Sequence, residues 1–282
     1  MKIARYWTRA DAEAMGAGGE TVRARARGWS DESLNDARVR ALEIARRVAE
    51  RIAGGWGEKQ RYPYGDRPLP EPVLRELEGA LVTRNAYGAL VLNASQMMFI
   101  DIDAESGNSQ PATGLSKMLG SLFGKTQPAA PAADPMTQKL DALTRRHGLS
   151  GRLYKTAAGY RVLITSAPFA PGDPAAEAVL REYGSDPLYV RLCKMQESFR
   201  ARLTPKPWRC GMRNPPVEFP FETASEQTRY ADWEREYHAK SGSFATCRFI
   251  SALGGAPADS RFTGLIDYHD RETKSTSALR LA

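Results

Sequence analysis

The sequence predicts an α+β fold, in which a small antiparallel or mixed sheet carries helices packed on one side. Short β-rich runs come in pairs joined by turn residues, and helices with clear capping residues lie between and after them. The chain has 282 residues, 42% apolar and 26% charged, which is typical of a globular protein with a sizeable core. We expect an N-terminal helical segment over residues 1–80 and an α+β domain over residues 81–282, with a flexible insertion at about residues 105–133.

One long amphipathic helix is predicted in the N-terminal segment. Ser30 is its expected N-cap and Gly54 ends the pattern. The apolar residues at helical spacing are Leu34, Ala37, Ala41, Ala45, Val48 and Ile52. Before this helix, arginines alternate with small or apolar residues over positions 22–27, which is typical of a basic edge strand or of a mobile arm. A short helix is expected from about Pro72 to Gly79.

Two short runs in the middle of the chain predict a β-hairpin. Ala89–Asn93 and Met97–Asp103 are rich in strand-forming residues, and Ser95 and Gln96 separate them. The following stretch, Glu105–Ala133, is rich in Gly, Ser, Pro and Ala, which indicates a mobile insertion beside the end of the second strand.

A helix and a second hairpin are predicted after the insertion. Asp134-Pro135 combines an N-cap with proline at the first helical position, and Gly148 is the expected residue after the helix end. Arg152–Thr156 and Tyr160–Ser166 then read as two strands joined by a turn of small residues. Later elements are helices beginning after Asp173, after Asp186 (reaching Phe199 or Ala201) and after Ser225, and a strand over Phe244–Leu253.

Asp101 and Asp103 are the first candidates for chemistry. Because side chains alternate along a strand, the two carboxylates point to the same face, where they repel each other unless a cation lies between them. Mg²⁺ or Mn²⁺ is the usual cation for an oxygen-only pair, with phosphates completing its shell. The alternative is a solvated strand end with no metal.

The positive charge of the chain, a net +7, concentrates in one stretch. Seven basic residues lie between positions 191 and 213 against one acid, Glu197. We call residues 200–209 the basic strap, since Pro205 and Pro207 exclude a long helix there. The residues expected to hold a polynucleotide backbone are Arg200, Arg202, Lys206 and Arg209, with Trp208 as a stacking side chain. The alternatives are ion pairs with Glu218 and Glu222, and a packing role for the tryptophan.

The sequence resembles the primase-polymerase branch of the archaeo-eukaryotic primases. The resemblance rests on three stretches, which are Asn85–Gly88, Phe99–Asp103 and Tyr154–Val162, and covers about residues 81–166. It implies a sheet of the polymerase palm or RRM-like kind, and an Asp-x-Asp strand that holds two divalent metal ions. In that family the second hairpin carries a histidine that contacts the incoming nucleotide, whereas this chain has Tyr160 and Arg161 there.

The resemblance also implies roles for further residues. A third acid completes the family's metal site, and the candidates are Asp267 and Asp270, ahead of Glu218; we take Asp267 as the expected ligand. Arg161 would replace the histidine as a triphosphate contact. Arg152 and Lys155 would complete a phosphate clamp on the second hairpin.

Three functions follow as hypotheses. The first is metal-dependent nucleotidyl transfer, or another processing of nucleotides or nucleic acid, by a primase-polymerase-like domain with Mg²⁺ or Mn²⁺. The second is a non-catalytic module that binds nucleic acid or nucleotide on the same fold. The third is a metal-dependent phosphoesterase that uses the same acids with His269 and Asp270. Since no apolar run could span a membrane and the three cysteines form no framework, we expect a cytoplasmic protein with no membrane partner.

Overall fold

The computed structural model describes residues 1–55, 67–103 and 134–282, and confirms an α+β protein with antiparallel sheets. The predicted insertion at about 105–133 lies outside the described residues. The helices are α1 (Leu34–Ala53), α2 (Pro135–Arg146), α3 (Pro174–Glu182), α4 (Pro187–Gln196), α5 (Ala224–Ser241) and α6 (Thr263–Thr273). The strands are β1 (Tyr6–Met15), β2 (Thr21–Ser30), β3 (Val73–Leu77), β4 (Ala80–Arg84), β5 (Leu90–Ala94), β6 (Phe99–Asp103), β7 (Ser150–Thr156), β8 (Gly159–Ile164), β9 (Phe199–Arg202), β10 (Phe244–Ala245), β11 (Cys247–Gly254) and β12 (Arg280–Leu281).

The N-terminal unit is a long hairpin packed on one helix, rather than a purely helical segment. β1 and β2 pair antiparallel, with Tyr6 opposite Ser30, and both contact α1. The predicted helix is present, but its N-cap is Ser33, whose side chain accepts a hydrogen bond from the backbone of Asp36. Ser30 instead accepts hydrogen bonds from the backbone just before the helix. The arginine alternation belongs to β2, as the strand interpretation expected.

The first four-stranded sheet has the order β3-β4-β5-β9. Two expectations fail in it. The short helix predicted from Pro72 is strand β3, which turns at Gly79 into β4, so hydrogen-bonded pairing crosses the expected domain boundary at residue 80. The hairpin predicted between β5 and β6 does not form, because β5 pairs with β4 and β9 while β6 belongs to another sheet.

The second four-stranded sheet has the order β11-β7-β8-β6, with all neighbours antiparallel. The predicted hairpin of β7 and β8 is confirmed, and it forms the two central strands of this sheet. The capped start of α2 at Asp134 is also confirmed, as are those of α3 at Asp173 and α4 at Asp186. α4 ends earlier than expected, since β9 begins at Phe199.

The two sheets share one core and are tied at the seam between β6 and β9. The hydroxyl of Tyr189 lies 2.9 Å from the carbonyl oxygen of Phe99 and 3.0 Å from that of Arg200, which bridges the two strands. Met97, Met98 and Phe99 are fully buried there. Within the described residues, no helix is both long and apolar enough to cross a membrane.

Candidate functional site

The Asp-x-Asp pair lies at the outer edge of the second sheet. Asp101 stands opposite Arg161 and Asp103 opposite Gly159, so both carboxylates project from the same face of the sheet. Asp101 is half-buried, whereas Asp103 is exposed. The strand and its shared face agree with the prediction, but the two carboxylates lie in different environments.

Asp101 is held by a two-point ion pair with Arg161. Nε of Arg161 donates to one carboxylate oxygen at 2.7 Å and Nη2 to the other at 3.1 Å. Burial acts to raise the pKa of Asp101, but the charge and hydrogen bonds of Arg161, helped by Arg202, more than offset it and hold that pKa below its usual value. Asp101 is therefore ionised, with its charge matched inside the protein.

Arg161 is not the phosphate contact that the resemblance implies. Its side chain is 1% exposed, and Nη1 donates to the carbonyl oxygen of Arg202 at 2.9 Å. Each of its three guanidinium nitrogens therefore has a partner in the protein. A buried guanidinium with these partners ties β8 to β6 and β9 and is out of reach of a ligand.

A buried network continues from Arg161 to His269 on α6. Nε2 of His269 lies 3.4 Å from Nη1 of Arg161, and Nδ1 lies 3.0 Å from the carboxylate of Asp270. Burial lowers the pKa of His269 to about 4, so the ring is neutral near pH 7. These partners assign the tautomer, since Nδ1–H donates to Asp270 and Nε2 faces the guanidinium. Asp270 also accepts hydrogen bonds from the hydroxyl of Tyr154 and from Arg152, both at 2.7 Å.

Arg152 and Lys155, the other two residues of the predicted phosphate clamp, do not come together with Arg161 to hold a phosphate. Arg152 is paired with Asp270, and its guanidinium lies 4.3 Å from the ring centroid of Phe249. Lys155 projects from the opposite face of the sheet, because it is in register with Tyr160, not with Arg161. Its ammonium lies 3.8 Å from the ring centroid of Tyr160. The second hairpin therefore forms no phosphate clamp.

The predicted metal ligands do not assemble either. Asp267 is exposed on α6, whose buried face carries Tyr268 and His269. Among residues 1–55, 67–103 and 134–282, no three His, Cys, Asp or Glu side chains form a group that could hold a metal ion. Both oxygens of Asp101 already accept hydrogen bonds from Arg161, which leaves Asp103 as the exposed carboxylate of the pair. The described residues do not fit the two-metal site that the resemblance implies.

The basic strap divides into a structural half and an exposed half. Arg200 is buried, and Nη2 donates to both carboxylate oxygens of Glu71 at 2.7 and 2.9 Å while Nη1 donates to Asn93 at 2.7 Å. It is therefore unavailable to a polynucleotide, contrary to the prediction. The alternative partners, Glu218 and Glu222, pair with arginines of β2 and not with the strap.

The remaining cations of the strap form what we call the cation cluster, defined as Arg202, Lys206 and Arg209. None of the three makes an ion pair with a described residue, and the buried Nε of Arg202 has no hydrogen-bond partner. Burial lowers the pKa of Arg202, and the charge of Arg161 adds to that effect. Burial also lowers the pKa of Lys206, followed by the charges of Arg202 and Arg209. This is a concentration of positive charge with no ion-pair partner in the described part of the chain, although the carboxylate of Asp101 acts on Arg202 through space.

The cation cluster and the Asp pair are neighbours. Asp103 and Asp101 act electrostatically on Lys206, although neither forms an ion pair with it. Hydrogen bonds fix the strap locally, since Tyr237 donates to the carbonyl oxygen of Pro205 at 2.6 Å and Thr246 to that of Leu203 at 2.8 Å. Arg161 also joins the two features that the enzymatic hypothesis needed close together, since its guanidinium contacts both Asp101 and the carbonyl oxygen of Arg202.

An exposed aromatic pair borders the cation cluster. The rings of Trp208 and Tyr87 are 5.2 Å apart, edge to face, and both side chains are nearly half exposed at 48% and 46%. The ammonium of Lys206 lies 5.4 Å from the ring centroid of Trp208. Sequence reasoning had named Trp208 but not Tyr87, because the turn that presents Tyr87 is 121 positions earlier.

No family model, curated protein or solved structure matches this chain. Sequence reasoning considered His269, with Asp270, for the phosphoesterase hypothesis, but not its contact with Arg161, which joins residues 108 positions apart.

Proposed function

We propose that this protein binds nucleic acid through the phosphates of its backbone, as a binding module without turnover. One observation carries the proposal, which is the cation cluster with its unpartnered, buried Nε of Arg202. A buried polar group without a partner costs about 1–3 kcal/mol, and a phosphate oxygen is the partner that suits a guanidinium best. Lys206 and Arg209 add charges that a second phosphate would neutralise.

The aromatic pair supports a single-stranded ligand. Single strands bind where cations follow the backbone and aromatic rings stack on the bases, and each stacked base contributes about 1–3 kcal/mol. Trp208 and Tyr87 provide exposed rings beside Lys206. The exposure of nearly half of the Trp208 side chain favours a ligand role over an anchoring one.

Metal-dependent nucleotidyl transfer is the second candidate function. It would follow from the resemblance to primase-polymerases, and it would require a palm or RRM-like sheet and bound Mg²⁺ or Mn²⁺. Its support is the exposed carboxylate of Asp103 beside the cation cluster. The described residues supply no third metal ligand. The phosphoesterase hypothesis has less support, because His269 is fully buried and would not meet a substrate from solvent.

The three cysteines are free and buried, which suits the reducing cytoplasm in which we place the protein.

The test is fluorescence anisotropy with a short labelled single-stranded DNA oligonucleotide over a range of salt concentrations. We expect affinity to fall as salt rises, because bound phosphates release counter-ions. Lys206→Gln and Arg209→Gln each remove one phosphate contact and reduce the magnitude of the salt slope by about 0.7, the value for a single strand. Arg38→Gln, on the exposed face of α1, makes the same charge change away from the site and should leave the slope unaltered.

Arg202→Met separates a binding role from a structural one. Because Arg202 is a partly buried cation with no partner in the described residues, a neutral side chain of similar length should weaken DNA binding while leaving thermal stability equal or higher. Loss of stability with unchanged binding would contradict the proposal.

The same assay separates the binding module from the enzyme. Binding by the cation cluster survives EDTA, whereas a metal-bridged complex does not. Incorporation of nucleotide into a primer in the presence of Mn²⁺, abolished by Asp103→Asn, would favour nucleotidyl transfer instead.

A further inference from the structure

A cleft of about 670 Å³ borders the N-terminal hairpin on the face that carries Arg9 and Arg27, and α1 contributes Ile44 and Val48 to its lining. Its size is within the range of about 300–1,000 Å³ that small-ligand sites occupy. Side chains of β1 and β2 line one wall, and Leu69, Pro70 and Met195 contribute to the other. The cleft belongs to neither the Asp pair nor the cation cluster, since none of those residues lines it.

Register along the hairpin sets the chemistry of this wall. Trp7 stands opposite Trp29, and one row further along the same face Arg9 stands opposite Arg27. Like charges directly opposite each other on neighbouring strands destabilise a sheet. The tryptophan pair therefore lies beside a pair of arginines that repel each other. An anion that carries a flat ring would stabilise this arrangement, because its charge offsets the repulsion and its ring packs on a tryptophan.

The two arginines have unused, buried donors. Nε of Arg9 and Nε of Arg27 are both buried and have no hydrogen-bond partner. Glu218 engages Nη2 of each guanidinium, since its backbone oxygen accepts from Nη2 of Arg9 at 2.8 Å and its carboxylate pairs with Nη2 of Arg27. The carboxylate thus pairs with one of the two guanidiniums, so this pair of arginines keeps an excess of positive charge.

The indole of Trp29 offers a surface for a ring. It is only partly buried, with the guanidinium of Arg40 5.2 Å from its ring centroid. Trp7 lies beside it on the same face, 5.9 Å away between ring centroids, and donates its Nε1–H to the backbone oxygen of Ala4. Both rings line the cleft, but Trp7 is buried and fixed by the fold, while Trp29 is the more exposed of the two.

We propose that this cleft is a second ligand site, which binds a small organic phosphate carrying a flat ring, of the nucleoside phosphate class. The phosphate accepts hydrogen bonds from the guanidiniums of Arg9 and Arg27 where they line the cleft, and the ring packs on Trp29. Glu218 occupies part of the anion's position and competes with it. The site does not rest on the proposed nucleic-acid binding, because it shares no residue with the cation cluster.

The experiment is calorimetric titration of the full chain with adenosine 5′-monophosphate, and separately with adenosine and with inorganic phosphate. We expect the monophosphate to bind more tightly than either part alone. Arg9→Gln and Arg27→Gln should each weaken its binding about tenfold, the loss of a charge-assisted hydrogen bond. Trp29→Leu should weaken binding of the nucleotide but not of inorganic phosphate. Glu218→Gln should strengthen both, because it removes the competing carboxylate.

Matched controls make the result specific. Arg23→Gln changes the same charge on the same strand, but Arg23 pairs with Glu13 and does not line the cleft, so binding should be unchanged. Lys206→Gln/Arg209→Gln should also leave it unchanged, which keeps the two sites distinguishable. Absence of binding by the wild type, or equal binding by the wild type and by folded Arg9→Gln and Glu218→Gln variants, would overturn the proposal.

Discussion

At the scale of single residues, the Asp-x-Asp pair shows how position decides what a carboxylate does. Asp101 and Asp103 are chemically identical and share a face of one strand. Asp101 nevertheless neutralises a buried guanidinium, whereas Asp103 faces solvent beside the cation cluster. The pair therefore contains one structural and one available carboxylate.

This difference predicts unequal effects of mutation. Asp101→Ala should lower the free energy of unfolding by about 3 kcal/mol, because it leaves the charge of Arg161 buried and uncompensated. Asp103→Ala, the matched control, should change it by no more than about 0.5 kcal/mol. Urea denaturation of both variants measures the difference. Equal values would mean that Arg161 reaches solvent or finds another partner, and an Asp101→Leu/Arg161→Leu variant should recover much of the lost stability.

At the scale of elements, the hairpin and α1 pack at very short range through small side chains. α1 presents Ala37, Ala41, Ala45 and Ala49, all buried, and β2 presents Gly28 against them. A Cβ on Gly28 would lie 2.1 Å from the backbone oxygen of Ala37, too close for any side chain. This small-residue contact sets the spacing between the two layers.

Gly28→Ala should therefore destabilise the protein by about 1–3 kcal/mol, the usual cost of overpacking a contact that cannot relax. Gly264→Ala is the control, because that glycine lies in α6 with open space around its Cβ position, and there alanine should be neutral or stabilising. Thermal unfolding of the two variants distinguishes them. A Gly28→Ala protein as stable as the wild type would show that the hairpin can move away from α1.

Elements were predictable where their signals are local. The aspartates before Pro135, Pro174 and Pro187 cap helices because both signals are contained in two neighbouring residues. β3 was mistaken for a helix because its pairing with β4, and not its own pattern, makes it a strand. β1 and β2 were obscured because the residues that face α1 are alanine and glycine, which give weak hydrophobic alternation.

At the scale of the whole molecule, acid stability should depend on one histidine. The pKa of His269 is about 4 in the folded protein, against about 6.5 in an unfolded chain. The unfolded state therefore binds more protons between these values, so stability is full above pH 6.5 and falls by about 3 kcal/mol as the pH drops to 4. Asp101 and Asp270, whose pKa values lie below their usual range, lose their contributions only at lower pH.

Urea denaturation at several pH values tests this. His269→Gln removes the titrating group and should flatten the stability profile between pH 4 and 6.5 relative to the wild type. The titratable groups that act on the ring or contact it are Asp270, Arg161, Asp101 and Tyr154. The pKa values of the two acids are lowered and those of Arg161 and Tyr154 are raised, so none of them produces the same slope in that window. A profile unaltered by the substitution would mean that the ring titrates normally.

The candidate site was predictable in part, and for a physical reason. Sequence reasoning identified the acids, the strap and their chemistry, because residue type and strand alternation are local properties. It did not foresee which cations the fold would use internally, since Arg161 meets Asp101 60 positions away and Arg200 meets Glu71 129 positions away. The cations left over after such pairing are the ones that remain for a ligand.

The ion pair of Asp101 and Arg161 also has a consequence for how such chains diverge. A single substitution at either position leaves a buried charge, so related sequences are expected to keep both residues or to exchange both together. Asp103 carries no such constraint and is free to drift. A search guided by the Asp-x-Asp pattern alone would thus find chains that share a structural ion pair, whether or not they share an activity. The residue opposite the first aspartate would distinguish chains in which that aspartate is structural from chains in which it is available for chemistry.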